Sequence, residues 1–540
     1  MSLWPGEKLR YAETHFKFKL PWSLLYRPWP EIIFDMPFQV VPSAEPTLWI
    51  VVRDADRFPV VLESAEVEFT REGDATEART FELNLNASKA VEFFPVPLGK
   101  LSPGKYRIFP KATIKAIGPN TARGKERKRT FNRWNLPGLR PQPLQVQVLA
   151  KAPPKAPGFA VGETHSHTHY SRDHVEFGAS PFVFQQAAKS IGLDFVSCTD
   201  HAYDFAFTDE DYTKEALSPA PRFKALRDEV AALNNDDGSN RDGCPLMLAG
   251  EEVSAGNSKG ENVHVTVMAN DGYLPGLGDC GRYWLENKPT RKVLQIANDT
   301  ESHCFAAHPF QQMGLLEKFI FRRGYWNSED LAGLRGIQFW NGVLDEGFKL
   351  GREFWIKELG KGNFLLPIGG NDAHGDLNDT TAVDLPLISL KHSRDHVFGN
   401  VRTAIKQVWS SSANANHGLT AESLHKAFEG DNCYITNGPA LWWERMDEAN
   451  IETYSNAIFF HARNTEDYGG AFRYIRIYGR KRLPSGKFAD KEELCLESVV
   501  AARSETDIAV NAGDYAYLRA ECLTADGHYA LTSAAKIEQE

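Results

Sequence analysis

Nine of the sixteen histidines fall between residues 159 and 375, and several stand beside carboxylates at the ends of short apolar runs. The pairs are His165 and His167 in HSH, Asp200 and His201 in TDH, Glu251 and Glu252 in GEEVS, and Asp372 and His374 in DAH. His264 lies in VHVTV and His308 in AAHPF. Residues two apart on a strand face the same side, so His165 and His167 can turn both imidazoles onto one cation. Asp372 and His374 offer one oxygen and one nitrogen in the same way. A lone HxH is more often a surface or core pair, and a lone TDH a helix cap or turn. Six such motifs on successive strand ends would need every bland reading to hold at once, so metal binding is the expectation. Imidazole and carboxylate without thiolate suit Zn, Mn or Fe. Seven or more candidate ligands exceed the three protein ligands of a single catalytic zinc, which predicts at least two divalent ions. Ions a few ångströms apart can share a hydroxide, bring the pKa of water toward neutrality and clamp the charge of a tetrahedral or in-line transition state. Glu252 can bridge such a pair, and His201 or Asp200 can assist proton transfer.

The elements that must hold these residues read as short strands alternating with helices. GFAVGETHSH, LDFVSCTDH, PLMLAGEEVS, VHVTVMA, HCFAAHPF, GIQFWNG and NFLLPIGGNDAH are strand candidates. Phe184, Ala187, Ala188 and Ile191 recur at helical spacing before Gly192. Leu344, Phe348, Trp355 and Leu359 mark another helix, expected to close at Gly360. This alternation predicts an α/β unit over 159–415, its parallel strands closed into a barrel with the ligands at their C-terminal ends. Residues 1–150 are predicted to form a β-sandwich with an extended N-terminal arm, joined through the linker Ala150–Gly158. After a short helix, LTAESLHKAFEG, residues 416–540 are predicted to form a small C-terminal β domain.

The chain of 540 residues is too long for one core of ordinary size. Its formal charge of −10 argues against general nucleic-acid binding, which demands a basic surface. The basic stretch from Arg123 to Arg133 reads as a solvated loop. No uncharged apolar run approaches the roughly 20 residues that cross a bilayer. Seven cysteines without a CxxC pair do not suggest a disulfide framework, so a cytoplasmic protein is expected, or an exported one if a leader is missing.

The ordered motifs HSHTHYSRD, CTDH, GEEVS, NVHVTV, AAHPF and GNDAHG resemble those of the polymerase and histidinol phosphatase (PHP) family of metal-dependent phosphoesterases. The resemblance covers roughly residues 159 to 410 and implies a distorted seven-stranded (β/α) barrel with a trinuclear site. Carried over, His165, His167, Glu252 and Asp372 would hold one ion. Glu252, His264 and His308 would hold the second, and Asp173, His201 and His374 the third. His169 and His174 compete with Asp173, and Glu252 is preferred to Glu251 because it keeps the Gly-x-Glu-Val spacing. GNVRTAIKQ and LHKAFEGDNCYITNGPAL resemble the larger, carbaryl-hydrolase-like members, in which a β domain follows the barrel. That makes Arg402 a candidate oxyanion or phosphate contact, with a surface arginine as the equal alternative. Asn341 could line the pocket, and His303 reads as structural. Tyr283, Trp284, Tyr325, Trp326 and Trp340 suggest either a roomy apolar mouth or an ordinary core. The expected activity is hydrolysis of a small-molecule phosphate ester by a metal-bridging hydroxide. A carbamate, amide or ester hydrolase with the same site is one alternative, and a non-catalytic metal-containing binding module is another. Neither a nucleic acid nor a membrane is expected as partner, and the oligomeric state is not legible.

Overall fold

The computed structural model describes residues 29–117, 127–135, 140–171, 178–206, 220–236, 238–241, 243–280, 287–375, 377–384, 389–407, 418–445, 457–483, 485, 487–498 and 503–537. Residues 1–28, residues 123–126 of the basic stretch, Asp173, His174, Tyr283 and Trp284 lie outside the described residues; Lys128–Asn132 of the basic stretch is a strand, not the expected solvated loop.

The central unit departs from the expected (β/α)7 barrel, and the TIM-like architecture is corrected with it. Strands make up 43% of the structure and helices 17%, in several sheets, with no closed barrel among the described residues. The reason lies in the connections. A parallel pair needs a crossover of about a dozen residues or more, whereas a short link permits only a hairpin. Glu251–Gly256 is joined to Asn262–Val267 by residues 257–261 alone, and the two strands pair antiparallel with Ser254 opposite His264. Asn262–Val267 then pairs antiparallel with Cys304–Ala307. Parallel pairing resumes only from there through Gly336–Asn341 to Leu366–Gly370, completing a five-stranded mixed sheet.

A second, ten-stranded sheet begins with Leu246–Ala249, Phe195–Cys198 and Phe159–Ser166, all parallel. It continues antiparallel through Arg402–Lys406, Cys433–Thr436 and Tyr529–Thr532 into the C-terminal strands, running across residue 416. Isolated bridges link the two sheets, Ser166 to Ala373 and His201 to Glu252. Both bridges lie at strand ends that carry the histidine and carboxylate motifs.

The helices follow their sequence signals closely. Pro181–Ile191 starts on Ser180, whose hydroxyl accepts from Val183 N at 3.3 Å, and ends on Gly192 in the left-handed region. Glu346–Lys361 runs past Gly360 and closes at Gly362, whose φ of 90° a side chain would strain. Its Trp355 is fully buried and donates from Nε1 to Leu365 O at 2.8 Å. None of the described helices is long and apolar enough to cross a membrane, and all seven cysteines are free.

In the N-terminal region, the three-stranded sheet of Glu31–Asp35, Thr47–Arg53 and Val91–Pro97 shares an apolar core with a six-stranded sheet. Ile32, Phe34, Ile50, Leu62, Ile108 and Ile114 are at its centre. Asp35 fastens this region to the central unit, its Oδ2 accepting from Leu377 N at 2.7 Å, and an Arg133–Asp379 ion pair lies beside it. Burial lifts the Asp35 carboxyl to about 7, against the pull of the Leu377 amide and Arg133. The folded chain therefore holds this proton over a range where the unfolded chain, at an ordinary carboxyl pKa of about 4, has released it. Stability from this group is present below about pH 4 and is lost as pH rises toward 7. Urea titrations at pH 4.5 and 7.5 should show the wild type losing stability relative to Asp35→Asn as pH rises; a constant difference contradicts this.

Candidate metal centre

The two strands nearest the inter-sheet bridges deliver the first ligands. Phe159–Ser166 is buried along its whole length and ends in His165, with His167 just beyond. Gly370 lets the neighbouring strand end come close, since a Cβ there would lie 2.9 Å from His165 Cβ. Glu251–Gly256 alternates its side chains, so the adjacent glutamates part company. Glu252 faces the histidines, while Glu251 accepts from Asn270 Nδ2 at 2.7 Å and Leu274 N at 3.0 Å and shapes a loop.

Glu252 is the hub. Its Oε1 is 2.7 Å from His264 Nδ1, 2.9 Å from His308 Nε2 and 3.4 Å from His165 Nε2. Its Oε2 is 2.9 Å from His201 Nδ1 and 3.5 Å from His167 Nε2. Asp372 closes the other side, its Oδ1 lying 3.1 Å from His167 Nε2 and 3.4 Å from both His165 Nε2 and His374 Nε2. The ligand atoms fall into three groups, each spanning no more than 4.8 Å: His165, His167, Glu252 and Asp372; Glu252, His264 and His308; and His167, His201 and His374. Of the metal ligands carried over from the family resemblance, Asp173 lies outside the described residues; among those described, the third group is His167, His201 and His374.

The donor set suits divalent cations, being imidazole nitrogen and carboxylate oxygen converging from several sides. Electrostatics agree with this. Burial disfavours ionised carboxylates, yet the surrounding imidazoles, His264 and His165 foremost, hold Glu252 well below the ordinary range. Asp372 is held down in the same way by His165, His167 and His374. Burial resists charge on His165 too, but Asp372 and Glu252 overcome it and lift it to about 9. Glu252 and Asp279 do the same for His264, also to about 9. His167, by contrast, is forced well below its usual value by burial and by its neighbours His374 and His201. Two carboxylates are thus held ionised at the centre of six imidazoles.

Two ligands occupy strained backbone. His308 has a φ of 28° and Asp372 a φ of 53°, left-handed values rare outside glycine. Each costs on the order of 1–3 kcal/mol, and such residues concentrate where structure is held for function. A buried carboxylate fixes the Asp372 loop from beneath: Glu163 accepts from His165 N at 3.0 Å, Asn371 N at 3.1 Å and Gly399 N at 3.0 Å.

Supporting residues fix which ligand atoms point inward. His165 Nδ1 contacts Gln338 Oε1 at 2.7 Å, Gln338 Nε2 donates to Asn341 Oδ1 at 3.1 Å, and Asn341 Nδ2 donates to Asp372 Oδ2 at 3.1 Å. One amide relay thus leaves His165 Nε2 and Asp372 Oδ1 facing the centre. On the opposite side, His264 Nε2 contacts Asp279 Oδ2 at 2.9 Å, and Arg323 Nε donates to the same oxygen at 2.6 Å. Outer partners of this kind govern metal affinity by about 10- to 100-fold. Gln338→Ala and Asn341→Ala should each weaken divalent-ion binding by that factor in a chelator competition; unchanged affinity in both would mean the relay orients nothing.

Several expectations meet a different arrangement. Asp200 is outside all three ligand groups; its carboxylate accepts from Thr168 N at 2.7 Å, Thr168 Oγ1 at 2.8 Å, Ser171 N at 2.9 Å and Ser171 Oγ at 2.8 Å. Ser171 Oγ in turn lies 3.1 Å from His167 Nδ1, so Asp200 meets the ligand groups through Ser171 and helps position His167. Arg402 is not brought to the centre: it donates to Gly399 O and Gln39 Oε1, at 2.9 and 2.8 Å, and lines a cavity containing no metal ligand. His303 stacks on His425 and contacts its carbonyl, away from the cluster. Trp326 and Trp340 are core residues, Trp340 packing on Phe348 and Tyr529. A cavity of about 150 Å³ opens beside His308 and Asn341.

Glu163, Asp279, Gln338 and Arg323 were not singled out from the sequence. Gln338 carried a usable signal, as a polar residue inside the apolar run GIQFW. Asp279 carried none, because it sits in a loop without periodicity and reaches His264 only through tertiary folding.

No family model matches the chain, and no curated protein does. Among solved structures it is similar to a β-glucuronidase of Parabacteroides merdae, at 7% identity and a TM-score of 0.16, over 94% of this chain and 77% of that one. It is also similar to a cycloisomaltooligosaccharide glucanotransferase of Paenibacillus sp. complexed with cycloisomaltoheptaose, at 9% identity and a TM-score of 0.15, over 94% of this chain and 69% of that one. Likenesses this slight carry no argument about fold or chemistry.

Proposed function

We propose that this chain is a metal-dependent hydrolase of the PHP kind, acting on a phosphate ester of a small molecule. The observation that carries the reading is the Glu252 carboxylate, which faces five imidazoles and belongs to two of three adjoining ligand groups. His165, His167, Glu252 and Asp372 would hold one ion, Glu252, His264 and His308 a second, and His167, His201 and His374 a third. Bound there, the ions would lower the pKa of a water and offset the charge gathering on phosphoryl oxygens.

The chain's own residues supply the rest. Glu252 and Asp372 set the number of cationic charges the centre accepts. His308, Asp372 and His374 are its less buried members, with side chains 9%, 12% and 15% exposed, so they form the rim that substrate meets first. His201 stacks against Tyr203, with ring centroids 4.7 Å apart, which holds its ring in the third ligand group. Asp200 keeps the loop of Thr168 and Ser171 in place and through it the His167 ring.

Hydrolysis of p-nitrophenyl phosphate and bis-p-nitrophenyl phosphate with Zn, Mn or Fe added tests this reading. Turnover that requires added metal supports it. Inert phosphate esters alongside hydrolysis of aryl carbamates would replace it with a carbamate hydrolase using the same residues.

A further inference from the structure

Arg402 stands on the wall of a second, larger cavity of about 830 Å³, where the N-terminal sheets, the segment before Arg402–Lys406 and two C-terminal turns meet. We propose that this cavity binds a small organic anion, whose carboxylate or phosphoryl group pairs with the Arg402 guanidinium. The volume lies within the range of small-molecule sites, roughly 300–1,000 Å³.

Arg402 is only 3% exposed. It donates to neutral acceptors, Gly399 O from Nε and Gln39 Oε1 from Nη2, and the Tyr468 hydroxyl is a further neutral partner. Among the described residues no carboxylate lies within ion-pairing distance of it. Two other buried arginines are paired with carboxylates: Arg133 has Asp379, and Arg519 has Glu492 and Glu521. A buried cation without a counter-ion is costly, and such groups are normally paired. Here the missing partner fits an anion arriving from the cavity.

The surroundings are built to keep that guanidinium in place and available. Gln39 Oε1 also accepts from Tyr468 OH at 2.8 Å, so the amide is fixed from two sides. Tyr468 is itself buried, with the His528 ring edge-on at 5.1 Å. The rim adds charge of the same sign: Lys105 and Arg107 are exposed, and Arg394 leans on Gln145 Oε1 at 3.2 Å. Arg71 is answered by Asp74 at 3.3 Å, which leaves Glu72 as the one further carboxylate on the wall. Five Lys and Arg against two Asp and Glu give the wall a balance of +3, on a chain whose formal charge is −10. A local positive field within an anionic protein draws small anions to that place. Guanidinium suits both candidate groups, because its fork matches carboxylate and phosphate oxygens alike.

The test is calorimetric titration of the full chain with inorganic phosphate and, separately, with succinate. The two arms tell a phosphoryl preference from a carboxylate preference. The same titrations on His167→Ala distinguish this cavity from the metal centre. Saturable uptake of at least one anion is expected in the wild type and in His167→Ala. Arg402→Gln should weaken it by about 10- to 100-fold, the worth of a charge-assisted hydrogen bond. If Arg402→Gln does not fold, the exposed pair Lys105→Glu with Arg107→Glu decides, since reversing the rim must weaken binding severalfold and flatten its salt dependence. No uptake of either anion, uptake lost in His167→Ala, or uptake indifferent to these substitutions would each overturn the proposal.

Discussion

Glu252→Ala is expected to empty the centre. The carboxylate is the one group that touches His264, His308, His165, His201 and His167 together, at 2.7 to 3.5 Å. Removing it leaves those imidazoles with Asp372 as the sole carboxylate of the three ligand groups. A merely supporting residue is worth about 10- to 100-fold in metal affinity, so loss of this shared ligand should exceed 100-fold and take turnover with it. The fold should survive. Desolvation of a buried carboxylate disappears with the side chain, and His165 and His264, held near 9 by their carboxylate neighbours, can become neutral. The metal-free variant should therefore melt close to the metal-free wild type, while the stabilisation that added Zn or Mn gives the wild type is absent. Glu252→Gln isolates the charge, keeping the shape but not the anion, and should fall with the alanine variant in metal content. Wild-type metal content in either variant would mean that Glu252 is not a ligand.

Arg519→Ala should cost about 3–5 kcal/mol, the usual penalty for breaking a buried charge network from one side. Arg519 is fully buried and joins Glu492, with Nε donating to Oε2 at 2.9 Å, to Glu521. Glu521 is also gripped by Arg352, whose Nε donates at 2.8 Å from the helix Glu346–Lys361. The network therefore fastens that helix to the strand Tyr515–Thr524, with the Arg519 guanidinium lying over the Tyr478 ring at 4.6 Å. Deleting the arginine strands Glu492 beside a half-emptied cluster and opens space beneath Trp355. The urea midpoint should drop accordingly, whereas substituting an exposed arginine such as Arg107 should move it by no more than about 0.5 kcal/mol. Equal effects of the two substitutions would show the network to be energetically idle.

Much of the candidate site was legible because its residues advertise themselves locally. HSH, TDH, GEEVS and DAH each carry their chemistry within a few residues, and strand alternation says which members share a face. Alternation says only that Glu251 and Glu252 point apart; the Gly-x-Glu-Val spacing of the resemblance picked Glu252. The supporting shell was not legible for the opposite reason. Asp279 meets His264, and Glu163 meets Asn371 and Gly399, through contacts that no local pattern encodes. Arg402 shows the limit of a motif carried over on its own: its guanidinium lies beside Gly399 and Gln39 on the wall of the second cavity, not at the metal centre.

For the fold, the strand segments from 159 to 370 were well marked by β-branched and aromatic runs, but their pairing was not. Alternation with helices suggested parallel strands throughout, and the hairpin at 257–261 breaks that rule because its link is too short for a crossover. Sheet continuity from Arg402–Lys406 to Tyr529–Thr532 depends on pairing between strands about a hundred residues apart, which periodicity cannot reveal. The helix end at Gly362 rather than Gly360 is a smaller instance, decided by which glycine takes the left-handed conformation.

The most direct test of the hydrolase account is metal content per chain by mass spectrometry, measured on the same samples as phosphate-ester turnover, for the wild type and His167→Ala. His167 belongs to two of the three ligand groups. The account predicts two or three divalent ions per wild-type chain with metal-dependent turnover, and both lost together in His167→Ala. Fewer than one ion per wild-type chain after reconstitution, or turnover that persists in His167→Ala, would contradict it.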